Sequence, residues 1–136
     1  MLPRKLEGLT VLVVDDDPGP LELYREVLTM AGARVRVATS ARAALLMVQQ
    51  EVPDAVVSDI MMPGEDGYWL IRALRALPPN EGGSVPALAV TGDPARHSSE
   101  RAREAGYDSH LAKPVQIKEF SATVARLASG HTCSAS

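Results

Sequence analysis

The sequence predicts an α/β domain built on a buried parallel sheet, and three observations predict it. Short apolar runs, among them Val11-Leu12-Val13-Val14, Ala55-Val56-Val57-Ser58 and Ala87-Leu88-Ala89-Val90, are separated by helix-length amphipathic stretches, the pattern of strands covered on both faces. Strand and helix units alternate five times, without an internal repeat or low-complexity block. Each run also ends in polar or charged residues: Asp15-Asp16-Asp17, Asp59, Thr91 and, after Ser109-His110-Leu111-Ala112, Lys113-Pro114. In an open parallel sheet all carboxyl edges lie on one side and ligands bind there, so these residues are expected together.

The elements follow in order. Asp17-Pro18 starts the first helix, with a capping carboxylate and proline at the first helical position, and Gly32 is placed as its C-cap. Leu21, Tyr24, Leu28 and Ala31 fall on one face between them. Ser40 caps a second helix with Ala44, Leu45 and Val48 inward, and a third carries Leu70, Ala73, Leu74 and Leu77. A fourth helix is expected from Asp93-Pro94 to Gly106, with only Ala95, Ala102 and Ala105 to bury, so its local stability should be low. The last helix has the cleanest stripe, Ile117, Phe120, Val124 and Leu127. The loop Pro78-Pro79-Asn80-Glu81-Gly82-Gly83-Ser84 is the other expected mobile region. We expect a leader over residues 1–8, a single domain over 9–128 and a flexible tail over 129–136.

Composition bounds the function. A chain of 136 residues, 46% of them hydrophobic, can bury one sizeable core but has no room for an ordinary second domain. The net charge of -3 argues against direct nucleic-acid binding, which normally needs a basic stripe. The one cysteine, Cys133, lies in a polar stretch, so no disulfide framework is expected. The start lacks the apolar core of a signal peptide and no run approaches membrane-spanning length, which gives a cytoplasmic expectation and no membrane contact.

The gathered residues imply a chemistry. At roughly 4 Å and an effective dielectric near 20, one pair of carboxylates repels by about 4 kcal/mol. A divalent cation removes that conflict, and Mg2+ suits it because it takes one or two carboxylates, several waters and a phosphate oxygen. A carboxylate can also be a nucleophile that forms an aspartyl phosphate, and phosphoryl transfer needs mainly positioning and charge neutralisation.

Val-Val-Asp-Asp-Asp-Pro, Ser-Asp-Ile-Met-Met-Pro-Gly-Glu-Asp-Gly, Val-Thr-Gly and His-Leu-Ala-Lys-Pro-Val, in this order at strand ends, resemble the motifs of two-component response-regulator receiver domains. The resemblance covers about residues 9 to 128. It implies a flavodoxin-like (βα)5 three-layer sandwich with a five-stranded parallel sheet of order 2-1-3-4-5. It makes Asp59 the phosphoacceptor, served by a phosphohistidine on a sensor histidine kinase or histidine phosphotransfer domain. It implies that Asp16 and Asp59 bind Mg2+ directly, Asp15 through water, and the Met61 backbone carbonyl as a further ligand. Lys113 would balance phosphoryl charge, Thr91 would offer its hydroxyl, and the Lys113-Pro114 peptide would be cis. Such a domain is a regulatory phosphoacceptor rather than an enzyme, with Mg2+-dependent self-phosphorylation from small donors and self-dephosphorylation as secondary activities. Met61 and Asp93, two positions beyond Asp59 and Thr91, would flank the path of water.

One departure concerns switching. Many receivers carry Tyr or Phe three residues before the lysine, where this chain has His110. Thr91 and His110 are therefore the candidate switch pair, with the weakly anchored fourth helix reporting phosphorylation. Output would pass through protein contacts with a downstream target, as a monomer or a phosphorylation-dependent dimer. The motifs are equally compatible with a stand-alone regulator and with a receiver at the end of a hybrid kinase.

Blander readings stand beside these. Asp17 is a helix cap before proline. Lys113 in isolation reads as a surface lysine, Thr91 as a β-branched strand end, and Met61, Met62 and Trp69 as packing residues. His97, His110 and His131 lack the clustering of a transition-metal site. Two other functions share the residue set: a non-phosphorylated pseudo-receiver acting as a binding module, and a haloacid-dehalogenase-like phosphatase, whose Asp-x-Asp pattern is met by Asp15 and Asp17.

Overall fold

The structure, a computed structural model, describes residues 5–130. Its elements are β1 (Thr10–Val14), α1 (Pro18–Met30), β2 (Arg34–Ala38), α2 (Ala41–Gln50), β3 (Ala55–Asp59), α3 (Gly67–Arg75), a 3-10 turn (Pro79–Glu81), β4 (Ala87–Thr91), α4 (Ser99–Ala105), β5 (Ser109–Ala112) and α5 (Ile117–Ala128). All strand pairs are parallel and the sheet order is β2-β1-β3-β4-β5, as the resemblance implied.

Alternation along each strand sends successive side chains to opposite faces. Leu12, Val14, Val56, Ala87 and Ala89 therefore pack with α2, α3 and α4 through Ala44, Val48, Leu70, Ile71, Leu74 and Ala102. Val11, Val13, Ala55, Val57, Leu88 and Val90 meet α1 and α5 through Leu28, Phe120, Val124 and Leu127. The result is a three-layer sandwich with one core on each face of the sheet. Full burial of a side chain such as Phe120 contributes about 2–3 kcal/mol.

The local signals hold with corrections of position. Asp17 caps α1, its Oδ1 accepting from the Gly19 N–H at 3.1 Å. The C-cap is Ala31 rather than Gly32; Gly32 follows at φ 102° and turns the chain so that the Ala33 N–H reaches the Leu28 carbonyl at 3.0 Å. Ser40 caps α2 and Asp66 caps α3. Leu77 lies beyond the end of α3, half-buried. Ile117, the first residue of α5, is exposed, while Phe120, Val124 and Leu127 further along the helix reach the core.

The fourth helix departs most. Asp93 closes only a turn, with the His97 N–H on its carbonyl at 3.0 Å and the Arg96 N–H on Oδ1 at 3.3 Å. Ser98 then stands extended (φ -73°, ψ 163°) and caps a separate α4, its Oγ accepting from the Arg101 N–H. A second capping residue inside the polar stretch thus restarts the helix. Gly106 ends it as expected, and Ala102 is its one buried residue. The loop over residues 78–84 is tied down: Arg75 donates to the carbonyls of Gly83 at 3.2 Å and Val85 at 2.7 Å.

Leu6, in the stretch read as a leader, is fully buried and its N–H donates to the Ala31 carbonyl at 2.8 Å. His131, Cys133 and most of the expected tail lie outside the described residues. Among the described residues no helix is long and apolar enough to cross a membrane.

Candidate functional site

Register brings the strand ends together. Val14 pairs with Ser58, Asp59 with Val90 and Thr91 with Ala112, so Asp15, Asp59, Thr91 and Lys113 emerge side by side at the carboxyl edge. β3 is buried along its whole length, and Asp59, which closes it, is 7% exposed. Asp15 is 1% exposed, whereas Asp16 faces solvent. One carboxylate oxygen from each of Asp15, Asp16 and Asp59 lies within 4.8 Å of the other two. Asp17 points away as the cap of α1, so the Asp15-x-Asp17 pair does not converge on the site.

The Lys113 Nζ stands 3.5 Å from Asp59 Oδ2 and 3.7 Å from Asp15 Oδ2, and the Lys113-Pro114 peptide is cis. Asp15 Oδ1 accepts from the Asp17 N–H at 2.9 Å, while its buried Oδ2 has no hydrogen-bond partner. Burial, and then the charge of Asp15, pushes the Asp59 carboxyl up to about 6, with Lys113 and the Met61 backbone N–H working against the rise. Burial raises Asp15 as well, opposed by the Asp17 N–H and Lys113. One ammonium does not balance three carboxylates. A buried carboxylate oxygen without a hydrogen bond, beside two more carboxylates, fits a hard, oxygen-liganded divalent cation.

Thr91 is fully buried, and its Oγ1 accepts from the Asp93 N–H at 3.0 Å. Met61 is exposed and Asp93 half-buried. His110 lies on β5 with its Nε2 2.9 Å from the His97 carbonyl, turned toward the loop between β4 and α4.

Sequence reasoning gave no part in the site to four residues that border it. Tyr24 stacks on Phe120 at 4.8 Å between centroids, and burial, then the charges of Asp15 and Asp59, push its hydroxyl up to about 12. Gly67 packs against the end of β3 so closely that a Cβ would sit 2.7 Å from the Asp59 carbonyl oxygen. His97 and Tyr68 join ring to ring, Nδ1 to hydroxyl, at 3.0 Å. Only Gly67 had a signal, as the last residue of the motif around Asp59.

Two hollows flank the centre. One of about 490 Å³ is walled by Pro20, Leu23, Tyr24, Pro114 and Val115 and reaches Lys113. The other, of about 430 Å³, lies between the β3–α3 loop and the β4–α4 loop, with Met61, Met62 and Pro63 on one side and Arg96 and His97 on the other.

Comparison with known proteins agrees with this geometry. The family described as response regulator receiver domain matches residues 11–125. An uncharacterized 14.6 kDa protein of Leptolyngbya boryana, encoded in the sodA1 3′ region, is 40% identical over 86% of this chain and 88% of its own. The response regulator MprA of Mycolicibacterium vanbaalenii is 40% identical over 86% of this chain, which spans 49% of MprA. The receiver domain of sensor histidine kinase PA1611 from Pseudomonas aeruginosa PAO1, solved with a magnesium ion coordinated in its active-site cleft, superposes with TM-score 0.81 at 28% identity, covering 90% of this chain and 98% of that one. With the sheet order and an acidic pocket that fits a phosphoacceptor site, the chain belongs to the response regulator receiver domains of two-component systems.

Proposed function

We propose that this domain accepts a phosphoryl group on Asp59 from a phosphohistidine of a sensor histidine kinase or histidine phosphotransfer domain. The observation that carries the reading is the Asp59 carboxylate at the buried end of β3, 3.5 Å from Lys113 and beside Asp15, whose Oδ2 makes no hydrogen bond. An oxygen of Asp59 forms a bond to phosphorus as the phosphorus–nitrogen bond of the donor breaks, and the donor imidazole leaves with the electron pair. Lys113 lies beside the acceptor and offsets the charge of the transferred group. The Thr91 hydroxyl, whose hydrogen is not committed to the Asp93 N–H, is the donor to a phosphoryl oxygen.

Asp15, Asp16, Asp59 and the Met61 backbone carbonyl are the residues that would hold Mg2+. When bound, the ion neutralises the carboxylates and the charge on the transferred phosphoryl oxygens. The pseudo-receiver reading requires no such set. The same site takes a phosphoryl group from small donors and loses it to water, whose path Met61 and Asp93 flank. Because a kinase phosphohistidine is the donor, the cytoplasm is the compartment, and the output is a change in protein contacts around α4 and β5.

The donor protein reaches Asp59 across the hollow beside Lys113. That surface is apolar, continuous with the acceptor site, and framed by Leu23 and Pro114, so it suits the apolar flank of a helix presenting its histidine.

The test is intact mass after incubation with Mg2+ and acetyl phosphate, comparing wild type with Asp59→Asn. One phosphoryl adduct, absent from the variant and absent without Mg2+, is the expected result. Folded wild-type protein that takes no phosphoryl group from acetyl phosphate or from a phosphohistidine donor overturns the proposal in favour of a binding module.

A further inference from the structure

The loop between β4 and α4 is fastened at its start by Thr91 and at its end by side chains that the phosphoacceptor chemistry does not use. At its start, the Asp93 N–H is held by Thr91 Oγ1 at 3.0 Å. The turn closes with the His97 N–H on the Asp93 carbonyl, also at 3.0 Å. At its end, His97 is gripped twice. Its carbonyl accepts from His110 Nε2 at 2.9 Å, and its ring Nδ1 meets the Tyr68 hydroxyl at 3.0 Å.

Tyr68 is a rigid anchor for this grip. It is 5% exposed, sits in the first turn of α3 directly after Gly67, and has the guanidinium of Arg101 5.0 Å and that of Arg72 5.8 Å from its ring centre. Its hydroxyl has His97 as its hydrogen-bond partner. An unbroken chain of contacts therefore runs from Thr91 through Asp93 and His97 to His110 on β5 and Tyr68 on α3.

We infer that His97 and Tyr68 are positioning residues for Thr91, forming with His110 a latch that holds the loop in its unphosphorylated arrangement. The inference rests on the proposed phosphorylation of Asp59. Movement of Thr91 toward a phosphoryl group on Asp59 pulls on the Asp93 N–H that its Oγ1 holds, and displacement of Asp93 carries His97 with it. The bond between His97 and Tyr68 is made in one state and lost in the other. His110 then works as a bolt on a backbone carbonyl rather than as a ring that swings. Any contact confined to the unphosphorylated state opposes phosphorylation by its own free energy, so loosening the latch speeds uptake of the phosphoryl group.

Tyr68→Phe tests this, because it keeps the ring and its arginine contacts and removes only the hydroxyl; His97→Ala removes the other partner. In unphosphorylated protein both variants are expected to raise hydrogen exchange at the Asp93 and His97 amides, with β4 unchanged. Both are also expected to raise the rate of phosphorylation by acetyl phosphate, at saturating Mg2+, by about three- to ten-fold, the weight of one hydrogen bond. Val124→Ala lowers stability from the opposite face of the sheet and is expected to alter neither readout. Unchanged loop exchange, or faster exchange without faster phosphorylation, overturns the inference. A wild-type protein that accepts no phosphoryl group would instead be failure of the functional reading, visible before any variant is compared, and it overturns the switch role of the latch with it.

Discussion

Asp15 and Asp59 are carboxylates that water alone would keep ionised at neutral pH, and the fold removes most of that water. Asp59 is pushed up to about 6, chiefly by burial. Between its ordinary value near 4 and about 6 the native state binds more protons than the unfolded chain, so this group makes stability fall as pH rises through that window. Two units correspond to at most about 3 kcal/mol, fully developed only above the folded value. In metal-free buffer, Asp59→Asn is therefore expected to stabilise the protein at pH 7.5 and to have little such effect at pH 4. Urea midpoints of the two proteins at both values check it. Saturating Mg2+ should shrink the gap at pH 7.5, and a variant no more stable than wild type there would contradict the electrostatic account. Asp15 shifts in the same direction by the same cause. Asp16 and Asp17, its neighbours in sequence, face solvent instead.

Single side chains also decide how the elements are joined. Arg75, at the end of α3, donates to Gly106, Gly83 and Val85 carbonyls and to Asp108 Oδ2 at 3.0 Å, and that carboxylate oxygen also accepts from the Ala87 N–H at 2.8 Å. One guanidinium thus ties α3 to the start of β4, the end of α4 and the start of β5. Arg75→Ala is expected to destabilise by about 2 kcal/mol, since it leaves several half-buried carbonyls unpaired. Arg75→Lys should recover little, because one ammonium cannot reproduce the planar fork; chemical denaturation of both variants checks this. The apolar stripes of α1, α2, α3 and α5 and the N-caps of α1 and α2 were legible because each is set within a few residues of chain. The start of α4 was not. Asp93-Pro94 and Ser98 are both competent starts, and the choice between them involves the hold of Tyr68 and His110 on the intervening His97.

At the scale of the molecule, the sheet gathers its chemistry at one edge and leaves two surfaces beside it. The hollow next to Lys113 is apolar, and Leu23 on its rim is 43% exposed. Leu23→Asp should slow phosphotransfer from a protein phosphohistidine by ten-fold or more while leaving the rate with acetyl phosphate within about two-fold, since small donors need no docking surface. Parallel time courses with the two donors measure this, and equal losses with both would place the defect in the site rather than on the surface. On the other face, α4 buries only Ala102. That is the cheapest helix in the fold to displace, and it lies directly beyond the latched loop.

Much of the site was readable from the chain. Apolar strand runs, helical stripes, caps and polar strand ends are short-range properties, and parallel pairing then forces Asp15, Asp59, Thr91 and Lys113 to one edge. The motifs at those ends supplied the strand order and the family. Tertiary structure alone decided which of three consecutive aspartates turns inward with an oxygen that makes no hydrogen bond, how near Lys113 comes to it, and that His97, 29 positions from Tyr68, is the hydrogen-bond partner of that tyrosine. It also placed Leu6 in the core and Ile117 outside it. The physical reason is range. Hydrogen bonds and alternation within an element are written into neighbouring residues, whereas contacts between elements depend on how whole helices settle on the sheet, and no local pattern encodes that.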